Sequence, residues 1–319
     1  MQRILLIGFG FMGRKHLEVY RVLPDSVVVG IVDIRGELPD GPDGIPVFGD
    51  FSSALEKLDF MAVDICLPTD LHREIAIQAF AAGKHVFCEK PIALTRDDAL
   101  AMTEAARASG LQFMVGHCIR FWPEYQELKR LVATCEHGRL LSLSLERRTG
   151  RPDYSAGDWV NQPERCLGAA LDLHIHDTDF LLHLLGKPDA VSSQGIQDQT
   201  GWSSIATRYT YGSRLVTASG AWNYPSKWGF QMRFSAVFEH AALDYDSRSE
   251  LTLTTENEAP KKVPVPATDG YFNELAYFVA CLEQGGTVTI STGDQATLSL
   301  GVVLTEIESA KCGKPLSFN

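Results

Sequence analysis

Three groups of residues have the types and spacing to do chemistry. The first is Gly8-Phe9-Gly10-Phe11-Met12-Gly13, which follows a short apolar run (residues 3–7) and opens a helical pattern (12–21). In that setting Gly8 allows a tight turn, Gly10 lets the backbone approach a pyrophosphate, and Gly13 lets helix and strand pack closely. The helix start, with Phe11 and Met12, offers N–H groups and a positive dipole end to the anion. Asp33 ends the second strand, 20 residues past Gly13. A carboxylate there accepts hydrogen bonds from the adenosine ribose and repels a 2′-phosphate. Arg35 works the other way, because it can swing in to accept such a phosphate. NAD is the expected cofactor, with NADP as the alternative.

The second group is Cys88-Glu89-Lys90-Pro91, at the carboxyl end of an expected parallel strand, where doubly wound sheets bind their ligands. A lysine there can hydrogen-bond a substrate hydroxyl and stabilise developing negative charge on oxygen, or it can be a solvated surface charge. Pro91 stiffens the turn. The third group lies in an apolar helical pattern over residues 167–185. Asp172, His176, Asp179 and His183 stand at i, i+4, i+7 and i+11, one polar stripe. Carboxylate and imidazole within a turn of each other suit proton transfer. His174-x-His176 with nearby aspartates also resembles a metal site. Residues at i and i+2 on a helix do not face each other, however, and no metal is expected.

The elements that must position these groups follow from the apolar pattern. Residues 3–7, 27–32, 62–67, 85–88 and 112–115 read as strands, and 12–21, 72–82 and 95–109 as helices. Gly83 stops the second helix, and Thr95 with acids behind it opens the third. This alternation implies a parallel, doubly wound α/β sheet. After about residue 120 the pattern changes. Strand-like runs at 140–147, 205–211, 215–222, 230–238 and 251–255 follow one another with turn signals between, so an open antiparallel sheet is expected. Helical patterns at 167–185, 271–284 and 294–312 place helices on one face. The expected division is residues 1–120 for the dinucleotide and 121–319 for substrate binding and oligomerisation, with the other sheet face covered by an identical subunit.

Composition narrows the function class. The chain has 319 residues, 45% of them hydrophobic, enough for two cores. Its formal net charge is −11 with no basic stripe, which argues against nucleic acid as a partner. Seven cysteines are scattered without a Cys-x-x-Cys pair, so reduced thiols in a cytoplasm are expected. No stretch reaches the roughly 18 apolar residues of a membrane helix, and the first residues do not read as a signal peptide.

These motifs resemble the glucose–fructose oxidoreductase / inositol dehydrogenase / rhizopine-catabolism (Gfo/Idh/MocA) family over nearly the whole chain. The resemblance is carried by Gly8–Gly13, by Leu67-Pro68-Thr69-Asp70-Leu71-His72, and by Gly83-Lys84-His85-Val86-Phe87-Cys88-Glu89-Lys90-Pro91. Gly116-His117-Cys118-Ile119-Arg120-Phe121-Trp122-Pro123-Glu124-Tyr125 and Leu171-Asp172-Leu173-His174-Ile175-His176-Asp177 complete it. It implies hydride transfer between NAD(P) and a sugar, polyol, inositol or related small molecule, bound between two domains. It also implies that Lys90, Asp172 and His176 are catalytic, that Pro68, Thr69 and His72 lie near the nicotinamide and its ribose, and that Glu89 contacts the ribose. His117 and Arg120, within one of the shared blocks, join the substrate-binding candidates.

The chain departs from the family pattern at Cys166-Leu167-Gly168-Ala169-Ala170, where a glycine-rich run is usual, and at His174, which replaces a common glycine. His174 either senses substrate or fills space. Trp159, Trp202, Trp222, Trp228 and Tyr224 include candidates for a sugar-stacking platform, although core or interface is the commoner fate of such aromatics. Arg165 can meet an acid group or be a surface charge. A non-catalytic ligand sensor and an NAD-retaining glycoside hydrolase stand as alternatives to a dehydrogenase.

Overall fold

A computed structural model describes residues 1–34, 41–153 and 155–318. Arg35 lies outside the described residues. The chain forms two compact units. The first takes Met1–His117 with two later pieces, Tyr154–Trp159 and Tyr271–Leu298. The second takes Cys118–Asp153, Val160–Gly270 and Ser299–Asn319. The units are therefore not the two sides of a single chain boundary, because segments from the second half pack with the first.

The first unit contains β1 (Gln2–Ile7), α1 (Phe11–Tyr20), β2 (Ser26–Val32), β3 (Val47–Phe48), α2 (Phe51–Lys57), β4 (Ala62–Ile65), α3 (His72–Ala81), β5 (His85–Glu89), α4 (Arg96–Ser109) and β6 (Phe113–Gly116). The strands pair in parallel in the order β3-β2-β1-β4-β5-β6. Ile4 to Ile7 and Val86 to Cys88 have essentially no exposed surface, as expected of strands covered on both faces. The order reverses between β1 and β4, and the turns following these strands flank the crevice where such sheets bind ligands. Thr95 caps α4 by accepting the Asp98 N–H, and Gly110, at φ 67°, ends it. Strand β3 and helix α2 were not expected. A two-residue strand is too short for an alternation signal, and only the Asp50 cap of α2 marks its start.

The second unit is built from α5 (Pro123–Thr134), β7 (Leu140–Gly150), α6 (Pro163–Cys166), α7 (Ala169–Asp172), α8 (Ile175–Leu185), β8 (Ala190–Asp198), β9 (Gly201–Tyr211), β10 (Arg214–Tyr224), β11 (Gln231–Phe238), β12 (Ala241–Asp246), β13 (Thr252–Thr255) and β14 (Glu258–Lys262). After α9 (Gly270–Glu283) come α10 (Gly293–Cys312) and β15 (Leu316–Ser317). The sheet runs β14-β13-β12-β11-β7-β10-β9-β8-β15. It is antiparallel except between β7 and β10, which pair in parallel. Helices α6–α8 and the β8–β9 hairpin intervene in sequence, so β10 returns beside β7 in the same direction. One sheet face carries Leu143, Leu145, Val216, Ala218, Phe234 and Ala236, all buried, and α7 and α8 pack against the sheet. The other presents cross-strand rows of small polar residues, such as Thr217, Ser144 and Ser235. Among the described residues no helix is long and apolar enough to cross a membrane.

The single helix expected over 167–185 is a correction. Leu167 and Gly168 take left-handed φ values of 59° and 82°, and Leu173–His174 separate α7 from α8. The N–H of His174 reaches the carbonyl of Ala169, five residues back, a local widening of the helix. Gly220 on β10 makes room for it: a Cβ there would lie 2.7 Å from that of His174.

Two buried guanidinium–carboxylate pairs hold α8. Arg147 on β7 donates to both oxygens of Asp177 at 2.9 and 3.2 Å, and Arg120 donates to both of Asp179 at 2.7 Å. Breaking such a pair leaves a charge in an apolar interior, at a cost of about 3–5 kcal/mol. Arg147→Ala should therefore lower the unfolding free energy, read from urea denaturation, by an equivalent amount. A loss within about 1 kcal/mol would show that water relieves Asp177, as at an exposed pair.

Candidate active site

In the first unit the glycine loop has the geometry that a dinucleotide requires. Gly8 sits at φ 93°, and a Cβ on it would lie 2.6 Å from the Cys66 carbonyl oxygen. A Cβ on Gly13 would lie 2.0 Å from the Gly8 carbonyl oxygen, so the start of α1 can approach β1 only with glycine there. Above Gly10 the same test meets nothing within 4 Å, which leaves the backbone open to a ligand. Helix α1 starts with no side-chain cap and no acid in its first turn, so its amides and dipole are turned toward an anion. Phe11 is exposed and Met12 half-buried. Asp33 is buried and accepts the Phe9 N–H at 2.9 Å, which ties the loop to the end of β2. These residues fit a bound dinucleotide.

The turns after β4 and β5 complete this half. Pro68 is half-buried and Thr69 buried. The buried His72 ring has Nδ1 3.0 Å from the Pro91 carbonyl and Nε2 2.9 Å from that of Leu67. It clamps the two turns together, and burial lowers its pKa. Glu89 is buried and accepts the Lys90 N–H at 3.1 Å. Lys90 itself is half-buried, followed by a cis peptide to Pro91. His117 is buried and Trp159 half-buried.

In the second unit Asp172 ends α7 and His176 lies in the first turn of α8, both half-buried. Their neighbours His174, Asp177, Thr178 and Asp179 have no exposed surface. Each is bonded to a residue from another element. His174 Nε2 lies 2.8 Å from Glu306 on α10 and 3.2 Å from the Tyr209 hydroxyl on β9. Thr178 bonds the same tyrosine and the other oxygen of Glu306. Asp179 also accepts from Ser299 at 2.7 Å. The expected polar stripe is thus split: Asp172, His176 and His183 stay half-buried, whereas Asp179 turns inward. His183 accepts from Lys129 at 2.6 Å, and burial, with Arg120 and Lys129 nearby, pushes its pKa down to about 4. Arg120, a substrate-binding candidate from sequence, is buried and engaged by Asp179. Arg165 is half-buried on α6. Of the aromatic candidates, Trp202 and Trp222 are buried, with Trp222 donating to Thr200. Trp228 is 39% exposed, 4.9 Å from Tyr224 and under the Arg248 guanidinium.

Buried titratable groups that went unnoticed in the sequence include His16, Asp64, Arg147, Glu274 and Glu306. Each stands on the core-facing side of a strand or helix, and a titratable residue at such a position is the signal that could have found them.

Comparison with known proteins agrees with this geometry. The family model described as oxidoreductase family, NAD-binding Rossmann fold (GFO_IDH_MocA) matches residues 2–117. The model of the GFO/IDH/MocA C-terminal domain matches residues 125–244. A myo-inositol 2-dehydrogenase of Thermotoga maritima is 30% identical across 92% of this chain and 91% of its own length. An inositol 2-dehydrogenase of Rhizobium meliloti is 26% identical across 92% of each chain. Among solved structures, a levoglucosan dehydrogenase in complex with NADH and levoglucosan superposes with a TM-score of 0.87 at 22% identity, covering 99% of both chains.

The place of Asp33 makes a cofactor prediction. NADH should bind at least tenfold more tightly than NADPH, the scale of one unfavourable charge contact of about 1.4 kcal/mol. Asp33→Ala should weaken NADH binding, because the Phe9 N–H loses its acceptor, and should erase the discrimination. Equal affinities for the two cofactors in the unmodified protein, read by nucleotide fluorescence, would remove Asp33 as the selector.

Proposed function

This chain belongs to the GFO/IDH/MocA family of oxidoreductases, and from that premise we propose that it moves a hydride between NAD and a carbinol or carbonyl carbon of a sugar, polyol, inositol or related small molecule. The relatives named inositol dehydrogenase and levoglucosan dehydrogenase support this substrate class. NAD, when bound, supplies the hydride acceptor. In the proposed roles His176 takes the hydroxyl proton during oxidation and returns it during reduction. Lys90 polarises the same oxygen, and Asp172 orients the pair or binds a neighbouring hydroxyl.

The observation that carries this assignment is the difference in exposure around α8. His174, Asp177, Thr178 and Asp179 are fully buried and bonded to other elements, whereas Asp172 and His176 are half-buried. Arg120 is assigned to the scaffold, and His117, Trp159 and Arg165 remain candidates for substrate contact. The decisive test is a sugar, polyol and inositol screen followed at the NADH absorbance band with both cofactors. Accumulation of free NADH supports a dehydrogenase; product without net NADH would indicate a hydrolase that recycles its cofactor; and binding without turnover would indicate a sensor.

With a substrate in hand, Lys90→Met and His176→Ala should each slow turnover by about 10²–10⁴-fold, the usual contribution of general acid–base catalysis, while changing NADH affinity little. Because both serve one oxygen and one proton, the double variant should be little slower than the slower single one. The oxidation rate should rise with pH as His176 loses its proton, and that limb should vanish in His176→Ala. Near-normal turnover with an unchanged pH profile in His176→Ala would remove it from the mechanism.

Two further assignments belong to the proposal. The cytoplasm is its expected compartment, on the strength of seven scattered cysteines. Self-association to a dimer or tetramer is expected through the outer sheet face, where Ser142 lies between the exposed Leu215 and Val237 in one cross-strand row. Light scattering at micromolar concentration that shows only monomer would reject it.

A further inference from the structure

His16 lies on α1, three residues past Gly13, and is fully buried. Its Nδ1 is 2.8 Å from Asp64 Oδ2 on β4, and its Nε2 is 3.1 Å from Glu89 Oε1 at the end of β5. Nδ1 is hydrogen-bonded to Asp64, whereas Nε2 and Glu89 Oε1 meet at ion-pair distance without hydrogen-bond alignment, so it is the charge of a protonated ring that ties the two carboxylates together. The second oxygen of Glu89, Oε2, accepts the main-chain N–H of Lys90 at 3.1 Å. The Glu89 carboxyl has little room to move: a Cβ on Gly116 would lie 3.0 Å from Oε1. Phe87 meets the His16 ring edge-on, with centroids 5.6 Å apart. An unbroken chain of contacts therefore runs from the helix that opens at the glycine loop to the main chain of Lys90.

We propose that His16 is the positioning residue for Lys90: its imidazolium holds the Glu89 carboxylate, and that carboxylate fixes the main chain from which the Lys90 amine projects. Helix α1 thereby couples the cofactor loop to the lysine. The inference rests on the reading of Lys90 as catalytic.

The groups facing His16 come from every element around it. Asp64 and Cys66 approach from β4 and its end, Glu89 from β5 and Glu274 from α9, and Tyr20 on α1 lies beside Asp64. Burial works against a charged ring. The Asp64 carboxylate outweighs it and holds His16 protonated well above the ordinary histidine range. Burial, with Asp64 close by, drives the Cys66 thiol strongly upward, so the sulfur, 3.3 Å from Nδ1, stays protonated.

The test is competitive labelling of lysines with acetic anhydride across a pH series, read by peptide mass spectrometry on the full chain with NADH present. Wild type is compared with His16→Gln, whose amide supplies one donor group where the ring supplies two. Without the imidazolium the Glu89 carboxylate, bonded to the Lys90 main chain, is left unbalanced one residue from the amine, and the lysine pKa is expected to rise. A rise of half a unit lowers Lys90 labelling at a fixed pH by roughly threefold. Lys57 and Lys84, in the same unit, should keep their wild-type reactivity. Lys90 labelling unchanged within about twofold, or moving together with Lys57 and Lys84 as in general loosening, would overturn the proposal. Should His16→Gln fail to fold, nitrogen-15 imidazole spectra of the wild type decide. Two protonated ring nitrogens at neutral pH are expected, and a singly protonated ring would refute the bridge. Labelling needs no substrate, so it is independent of the catalytic reading, which Lys90→Met with wild-type turnover would withdraw separately.

Discussion

Charge removed from water must find a partner of opposite sign, and in this chain the answer to that demand decides where the chemistry-bearing side chains stand. Asp177 and Asp179 lie on a helix whose buried face is otherwise mostly leucine, isoleucine and phenylalanine. Apolar contacts alone would let such a helix rotate at little cost. A guanidinium that meets both oxygens of a carboxylate is satisfied in one orientation only. Arg147 on β7 and Arg120 ahead of α5 set that orientation, and Glu306 on α10 adds a third restraint through His174 and Thr178. The half-buried position in the first turn of α8, His176, is defined by what the inward ones must do.

The first unit obeys a different constraint, steric in kind. The gap between the Gly8 carbonyl and α1 has no space for a side-chain atom at Gly13, so the helix start is carried up against the end of β1. That approach puts uncapped amides beside the crevice where the strand order reverses. Asp33 then braces the loop through Phe9 and keeps its carboxylate beside the loop.

Much of this was legible in the sequence because it depends on near neighbours. Glycine spacing, the apolar runs of β1, β4 and β5, the Thr95 cap and the change of pattern after residue 120 are all local. The parallel β7–β10 pair was not legible, since alternation within a strand carries no information about which strand returns beside it. Nor was the break at Leu173–His174, which depends on space left by Gly220, far along the chain. The reading of Asp172, His176, Asp179 and His183 as one stripe on a single helix did not hold, since the helix breaks after Asp172 and Asp179 turns inward. What helical spacing could not say is that Asp179 has a buried arginine waiting for it. His16 and Glu306 escaped notice for the same reason: their partners come from distant segments.

His174 and Gly220 are sterically complementary: the bulk stands at 174 and the room for it at 220. The two positions cannot be changed in either order with equal ease. Adding a side chain at 220 first brings its Cβ into collision with the imidazole-bearing residue, whereas trimming 174 first leaves a void and a buried glutamate short of a donor. The intermediate on either route is poorer than both endpoints. Substitutions at these two sites are therefore expected to be conditional on each other, and sequence change across this part of the second unit follows a path with few reversible steps.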